Sequence, residues 1–492
     1  MSAGATAPAT TYEPVIGLEI HVQLDTRTKM FCGCELSFGD PPNTHTCPVC
    51  LGMPGALPVV NAQAIHSALT IGMAFGCELA PRSIFHRKNY FYPDLPKGYQ
   101  ISQFDVPICR GGHLGDVRIH RVHLEEDAAK LVHVGASGRI HGADASIVDY
   151  NRGGTPLVEI VTEPDVRSAA QAREWLTLLR ETLRQLGVSD VNMEEGSLRC
   201  DANVSIRPAG SDALGTKTEL KNMNSFRYLE RGVEAEIARQ VALVEAGEAV
   251  RQETLHFDPV SGSITSLRSK EEAHDYRYFP EPDLVPVVLT DAMRDAAAAR
   301  LPELPAARAE RYERELGLTA ESARLLAFRA ELAAYFERAL AGAPTTSEGE
   351  SLVWGHPQAL ANWLTGELAA RLGDADPAAS KVAPEALAKL VALVRSKQVT
   401  PGAAKQVLDA LVAEGGDPEA IVEAQGLGAI GGGDELAEIV ARALASDPDA
   451  VAKLKGGNMK AIGPIVGFVM RETKGRADGG EVNRLVREQL GI

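Results

Sequence analysis

Near residue 290 the chain changes its period. From about residue 12 to 290, short apolar runs alternate with polar residues and are punctuated by Gly and Pro; beyond it, Ala, Leu, Glu and Arg recur at helical spacing, as in 322–340 and 385–395. A chain with strands first and helices after folds as α+β, a mixed sheet followed by helical parts. Within the first part, Ser168 with Gln171 and Gly187 bound a helix over 169–186, and a second helix follows Asn224 and Ser225 through residue 245. Thr400 followed by Pro401 is a cap and first-turn pair that opens a further unit. The expected organisation is a disordered lead at 1–11, a sheet domain at 12–292, a helical domain at 293–399 and a helical tail at 400–492.

The 492 residues carry a net charge of −16, which argues against indiscriminate nucleic-acid binding. The average hides a gradient: from Ala450 to Ile492 eight Lys or Arg stand against four acids, a basic end suited to selective contact with an acidic partner. No apolar run is long enough to cross a membrane and no signal peptide is visible, so the expected place is the cytoplasm. Seven cysteines form no secreted framework, but Cys32-x-Cys34 and Cys47-x-x-Cys50 can close a tetrahedron around Zn²⁺. With all four positions taken by sulfur the zinc is structural and pins the loop at 32–50; Cys77, Cys109 and Cys200 are expected in the core.

The strands bring chemistry to one face. Residues 15–24 place Ile16, Leu18, Ile20, Val22 and Leu24 on one side and Glu19, His21 and Gln23 on the other, a spacing that suits a metal or a phosphate. Residues 197–207 alternate without a break and set Arg199, Asp201 and Asn203 together. Glu125, Glu126 and Asp127 end another strand, Glu159 interrupts an apolar run, Glu194 and Glu195 precede Arg199, and Lys217, Glu219 and Lys221 share a face. A carboxylate inside a buried run needs a partner, usually a cation. Such an array suits Mg²⁺ and a nucleotide polyphosphate on an open sheet; no Walker A sequence is present, and Gly426-x-Gly428-x-x-Gly431 follows a helix, the wrong context for a dinucleotide fingerprint. In 87–104 bases and aromatics interleave, and that loop could stack a base or ribose and hold phosphate with Arg87 and Lys88. Most of His113, His120, His123, His133 and His141 lack ligand spacing along the chain and read as surface or packing residues.

Gly17-Leu-Glu-Ile-His-Val-Gln-Leu24, Arg87-Lys-Asn-Tyr-Phe-Tyr-Pro-Asp94, Tyr99-Gln-Ile-Ser-Gln-Phe-Asp105, Glu125-Glu-Asp127, Met193-Glu-Glu-Gly-Ser-Leu-Arg-Cys-Asp-Ala-Asn203, Glu219-Leu-Lys-Asn222 and Asp275-Tyr-Arg-Tyr-Phe-Pro-Glu-Pro-Asp283 resemble the GatB family, the B subunits of tRNA-dependent amidotransferases. The tail resembles YqeY-like proteins through Asn458, Lys460, Gly463, Val466, Gly467, Met470, Lys474 and Gly475. The resemblance implies a cradle similar to the glutamine synthetase catalytic fold and a ligase that amidates Glu on tRNA(Gln), or Asp on tRNA(Asn), at the expense of ATP. It implies that His21, Glu126 and Glu159 hold Mg²⁺, with Glu19 near a second cation or the ammonia path. Glu19, Lys88, Glu125, Arg199 and Asp201 would be catalytic, and Arg87, Lys88, Tyr90, Arg199 and Lys217 would bind ATP. Alternation favours Glu125 over Glu126, but the strand is ending there, so both are kept. Lys453, Lys455, Lys460, Arg471 and Lys474 would contact tRNA. The chain has neither a Lys-Ser-Ser amidase signature nor a Cys-His glutaminase setting, so ammonia must come from elsewhere; in the family it comes from an amidase-type A subunit, with a small C subunit completing a heterotrimer.

Two other functions fit parts of the chain. A non-catalytic tRNA-recruiting scaffold would leave the acidic strands solvated, which their clustering argues against. A zinc hydrolase would need an open coordination position that four cysteines do not leave.

Overall fold

The computed structural model describes residues 11–134, 143–269, 276–343, 356–373, 375–430, 434–473 and 475–492. They divide into two compact units, Met1–Leu304 and Pro305–Ile492.

Alternation along β1, Tyr12–Gln23, does what its side chains require: Ile16, Leu18, Ile20 and Val22 are buried, and Glu19, His21 and Gln23 stay half-open on the other face. Around it lies a thirteen-stranded sheet, built mainly from β2 (Phe85–Asn89), β3 (Tyr99–Gln103), β4 (Val117–Glu126), β5 (Pro156–Thr162), β6 (Leu198–Pro208), β7 (Thr218–Met223), β8 (Glu253–Phe257), β9 (Ile264–Ser269) and β10 (Phe279–Pro280). Its order is β9-β8-β7-β6-β1-β5-β4-β3-β2-β10, antiparallel apart from the β7–β8 pair. The central place of β1 follows from its two antiparallel neighbours, β6 along Tyr12 to Val22 and β5 along Glu19 to Gln23.

The helices α1 (Ala62–Ala74), α2 (Ala169–Leu186) and α3 (Phe226–Glu245) pack against this sheet. Trp175, Leu176, Leu179 and Leu183 of α2 and Leu229 and Val233 of α3 are its apolar anchors, and burying each such side chain contributes about 1.5–3 kcal/mol. Both expected helices begin and end where their caps place them. Ser168 accepts from the Gln171 amide, Gly187 ends α2 with φ 64°, and Ser225 accepts from the Tyr228 amide. The return bond of the capping box goes one residue further out, from the Arg167 amide to Gln171 Oε1 at 2.7 Å. Cys109 and Cys200 are buried as expected, whereas Cys77 is half-buried, with burial pushing its thiol up to about 12.

The second unit is helical among its described residues. The expected helical stretch at 322–340 breaks into Ala320–Ala327 and Ala330–Ala341, because Arg329 between them is extended, at φ −119° and ψ 107°. Thr400 caps the helix Pro401–Glu414 as its sequence requires. The expected domain break at 399/400, however, falls inside one core: Ala403, Val407, Leu408 and Leu411 pack in the same apolar cluster as Leu387, Leu390 and Val391. A separate cluster begins at Leu436 and runs to Val486. Similarly, the helix Asp291–Ala298 packs on α1 and carries the first unit to Leu304, past the expected end at 292. Gly426 closes the helix Pro418–Gln425 with φ 60°, a left-handed cap in place of a phosphate loop; Gly431 lies outside the described residues.

Candidate active site

The antiparallel register assembles what the linear sequence disperses. His21 on β1 stands opposite Glu159 on β5 and Arg199 on β6, and Glu159 stands opposite His123 on β4. Directly paired residues share a face, so His123, Glu159, His21 and Arg199 form one row across four strands. Glu19 lies opposite Asp201 in a parallel row.

In that array His21 Nε2 is 3.5 Å from Glu159, 3.7 Å from Glu19 and 3.9 Å from Glu125, and His123 Nε2 is 3.3 Å from Glu159 and 3.8 Å from Glu125. Burial alone would neutralise these groups; their mutual attraction wins at His21, His123, Glu125 and Glu159, whereas burial and the neighbouring Glu159 raise Glu19. Burial lowers His123, but Glu159 and Glu125 hold it up at about 9. Burial raises Glu159, yet His123 and His21 bring it well below the usual carboxylate range. Lys88 is likewise kept charged: desolvation opposes it, and Glu125 and Glu159 prevail.

Beside the row, which reaches it at His21 and Arg199, lies a cavity of about 510 Å³ lined also by Lys88, Tyr90, Glu125, Asp127, Glu194, Glu195, Asp201 and Lys221, among others. Arg199 is held by Asp127 at 2.9 Å, which also accepts from Gln23 Nε2 at 2.7 Å. Lys221 bridges Asp201 at 2.9 Å and Glu219 at 3.2 Å. Val191, left-handed at φ 47° although β-branched, leads into the turn carrying Glu194 and Glu195, a conformation that costs on the order of 1–3 kcal/mol. Asn192 Oδ1 accepts from both glutamate amides there.

Two donor sets, Glu19/His21/Glu159 and His123/Glu125/Glu159, have ligand atoms within 4.8 Å of one another and share Glu159. Carboxylate oxygens with a single imidazole in each set suit a hard divalent cation that keeps some waters or phosphate oxygens in its shell. In a loop beside the sheet, Cys32, Cys34, Cys47 and Cys50 bring their sulfurs within the same 4.8 Å, and the Cys47 amide points at Cys50 Sγ at 3.2 Å.

Residues 14–295 match the GatB/GatE catalytic domain and residues 350–490 the GatB domain. The chain belongs to the GatB family. Among curated GatB proteins it is similar to the B subunit of the aspartyl/glutamyl-tRNA(Asn/Gln) amidotransferase of Anaeromyxobacter dehalogenans, 50% identical over 98% of this chain and 100% of that one. The corresponding B subunits from Frankia casuarinae and Geobacter sulfurreducens are 50% and 48% identical, over 98% and 97% of this chain and 96% and 99% of theirs.

Against this GatB geometry, three expected site residues stand elsewhere. Arg87 and Lys88 are neighbours on β2 and point to opposite faces; Lys88 enters the cavity, while Arg87 forms a fork with Glu281 at 2.7 and 2.8 Å and reaches Asp283 at 3.2 Å. Glu126 turns away from His21 for the same reason, since β4 keeps its alternation to its last residue. Its carboxylate accepts from Lys97 and, at 2.9 Å, from the Ile101 amide. Lys217 is exposed ahead of β7, and Lys221 occupies the cavity instead. Glu19, His21, Lys88, Tyr90, Glu125, Glu159, Arg199 and Asp201 do come together. His123, which reads as a packing residue in the sequence, is part of the row; its signal is its position two before Glu125, which puts both on one face. In the tail, Lys453, Lys455, Lys460 and Arg471 are exposed, and Lys474 lies outside the described residues, as do His141 and Asp275.

Proposed function

We propose that this chain carries out ATP-dependent transamidation of misacylated tRNA, Glu on tRNA(Gln) or Asp on tRNA(Asn), as the B subunit of a multi-subunit, glutamine-dependent carbon–nitrogen ligase. The observation that carries the reading is the convergence of Lys88, Arg199 and Lys221 on the cavity that the His123–Glu159–His21 row reaches through His21. A carboxylate is a poor acylating agent. Its side-chain oxygen therefore first attacks the γ-phosphorus of ATP, ADP leaves, and ammonia then attacks the acyl phosphate and expels inorganic phosphate. Both steps spread negative charge over phosphoryl oxygens, so positioned cations do most of the work.

Lys88 and Arg199 serve the phosphates, Asp127 fixes the direction of Arg199, and Asp201 positions Lys221. Glu19, His21, Glu125 and Glu159, with His123, are the groups that fit Mg²⁺, which when bound neutralises phosphate charge. Tyr90 lines the same cavity and offers a ring to the nucleotide. The likeness of such a cradle to glutamine synthetase, which also makes a γ-glutamyl phosphate, belongs to this reading. So do a structural zinc in the four-cysteine loop, ammonia from an amidase-type A subunit, a small C subunit, tRNA contact by the basic tail and a place in the cytoplasm. Among the described residues no helix is long and apolar enough to cross a membrane.

The test is γ-phosphate release from ATP by the assembled complex, with and without Glu-tRNA(Gln). We expect release to require the mischarged tRNA and to vanish in Arg199→Ala, with glutamine hydrolysis retained. ATP left intact by an otherwise active wild-type complex would reduce the chain to a tRNA-recruiting scaffold.

A further inference from the structure

The substrate of the reaction proposed above stays esterified to the terminal ribose of an RNA while its side chain reacts. From the side-chain carboxyl to the ester carbonyl, an extended glutamyl group spans about 5 Å. The ribose must therefore sit at the cavity mouth, and its base at the rim.

One loop supplies both the wall and the rim. Residues 90–98 follow β2, and from them Tyr90 and Leu95 line the cavity while Phe91 is 86% exposed. This exposure does not come from a loose loop. The Tyr90 amide donates to Gly98 O at 3.1 Å, the Leu95 amide to Tyr92 O at 3.0 Å and the Gly98 amide to Leu95 O at 2.9 Å. Tyr150 Oη donates to Pro93 O at 2.9 Å, and the Ala129 amide to Asp94 O at 3.0 Å. Leu95 anchors the loop in the core. Gly98, at φ 75°, lets the Phe91 ring lie close to its backbone; a Cβ there would stand 3.2 Å from the ring. The ring is thus backed by a fixed glycine and open to solvent, with Tyr92 close to Tyr90 at a centroid distance of 5.9 Å.

We propose that Phe91 is a stacking platform for the unpaired 3′-terminal base of the RNA that carries the ester. Unstacked bases at RNA ends are recognised on aromatic faces, and a single ring suffices for one base. A protein partner would need a contiguous apolar patch, whereas the loop sets Tyr92 and Asp94 beside this ring in sequence. The adenine of ATP is the other base available, but its phosphates must reach Lys88 and Arg199 inside the cavity, where Tyr90 and Tyr276 are lining rings and Lys88 Nζ stands 4.9 Å from the Tyr276 centroid.

The inference rests on the proposed transamidation, and one experiment separates the two. Mischarged tRNA carrying 2-aminopurine as its 3′-terminal base is bound to the complex assembled with its A and C partners. Stacking on Phe91 quenches the fluorescence. In Phe91→Ala we expect the quench to be lost and KM for mischarged tRNA to rise about tenfold or more, with KM for ATP and glutamine hydrolysis unchanged; Phe91→Trp restores both. An unchanged quench and KM in Phe91→Ala overturns the platform. A raised KM for ATP alone assigns the ring to the nucleotide, and failure to assemble assigns it to a subunit contact; either overturns the proposal. ATP left intact by the wild-type complex strikes the transamidation reading instead, and leaves the quench to report stacking by itself.

Discussion

His123 and His120 lie three residues apart on the same strand and illustrate how far the surroundings decide a residue's role. His120 is exposed and pairs with Glu163 at 2.8 Å, whereas His123 is buried between Glu125 and Glu159. Replacing His123 by Ala takes one cation from two buried carboxylates, leaving Glu159 with Arg121 and His21 and Glu125 with His21, and removes an imidazole from one donor set. We expect transamidation to fall by about 10–100-fold or more with a higher Mg²⁺ requirement, and His120→Ala to change neither; equal effects of the two substitutions would contradict the assignment. Asp165 gives the pH counterpart. Arg118 grips it with a fork at 2.8 and 2.7 Å, and that bond, ahead of a weaker opposing effect of burial, holds its carboxyl below the ordinary value of 3.8. A carboxylate whose folded pKa is depressed adds stability above its unfolded pKa and loses it as the pH falls through the folded one. Urea unfolding of wild type and Asp165→Asn should therefore differ at pH 7 and converge as the pH drops below 3.8.

At the scale of elements, what was legible in the sequence is what is local. Caps and stops are short-range chemistry, so the ends of α2 and α3 follow from Ser168, Gly187 and Ser225. The alternation of β1 and β6 equally decides which side chains face the cavity. Register is different: nothing along the chain says that Glu159 stands between His21 and His123, and a search for ligand spacing within one segment passes over a site assembled across strands. Arg87 and Glu126 each sit one residue away from a cavity-facing position, which in a strand means the opposite face. Glu236 of α3 shows the same limit. In sequence it is one more helical glutamate, but it is fully buried, accepting from Thr218 on β7 at 2.7 Å, from Gln240 at 2.7 Å and from Arg239 at 2.7 and 2.9 Å. This network ties α3 to the strand that carries Lys221. Glu236→Ala removes the buried acceptor that the Thr218 hydroxyl, the Gln240 amide and Arg239 share, leaving the first two only each other and Val204 O, and should cost about 2–4 kcal/mol in chemical denaturation; a loss under about 0.5 kcal/mol, the range of ordinary surface changes, would show the network to be incidental.

At the scale of the molecule, two units with separate apolar cores share one chain, and the four-cysteine loop belongs to the first. That loop is woven into the site's framework rather than appended to it. The Met30 amide donates to Gly154 O at 2.7 Å just ahead of β5, the Asn61 amide, at the cap of α1, donates to Met30 O at 2.9 Å, and the Lys29 amide donates to Cys34 O at 3.0 Å. Lys29 itself is buried and donates to Tyr150 O at 2.9 Å. Metal held by the thiolates would thus stabilise the strand bearing Glu159 and the helix beneath the sheet, both in the first unit. Two thermal transitions are the expectation, one for each unit, and a chelator able to strip thiolate-bound zinc should lower one of them by about 5 °C or more while the other stays. Because such a chelator also takes a cation from the carboxylate site, Cys47→Ser measured in excess Mg²⁺ is the decisive comparison. It should reproduce the shift of the first transition alone, together with a loss of zinc content. Both transitions moving together would mean that the two units unfold as one, and neither moving would mean that the loop holds its shape without metal.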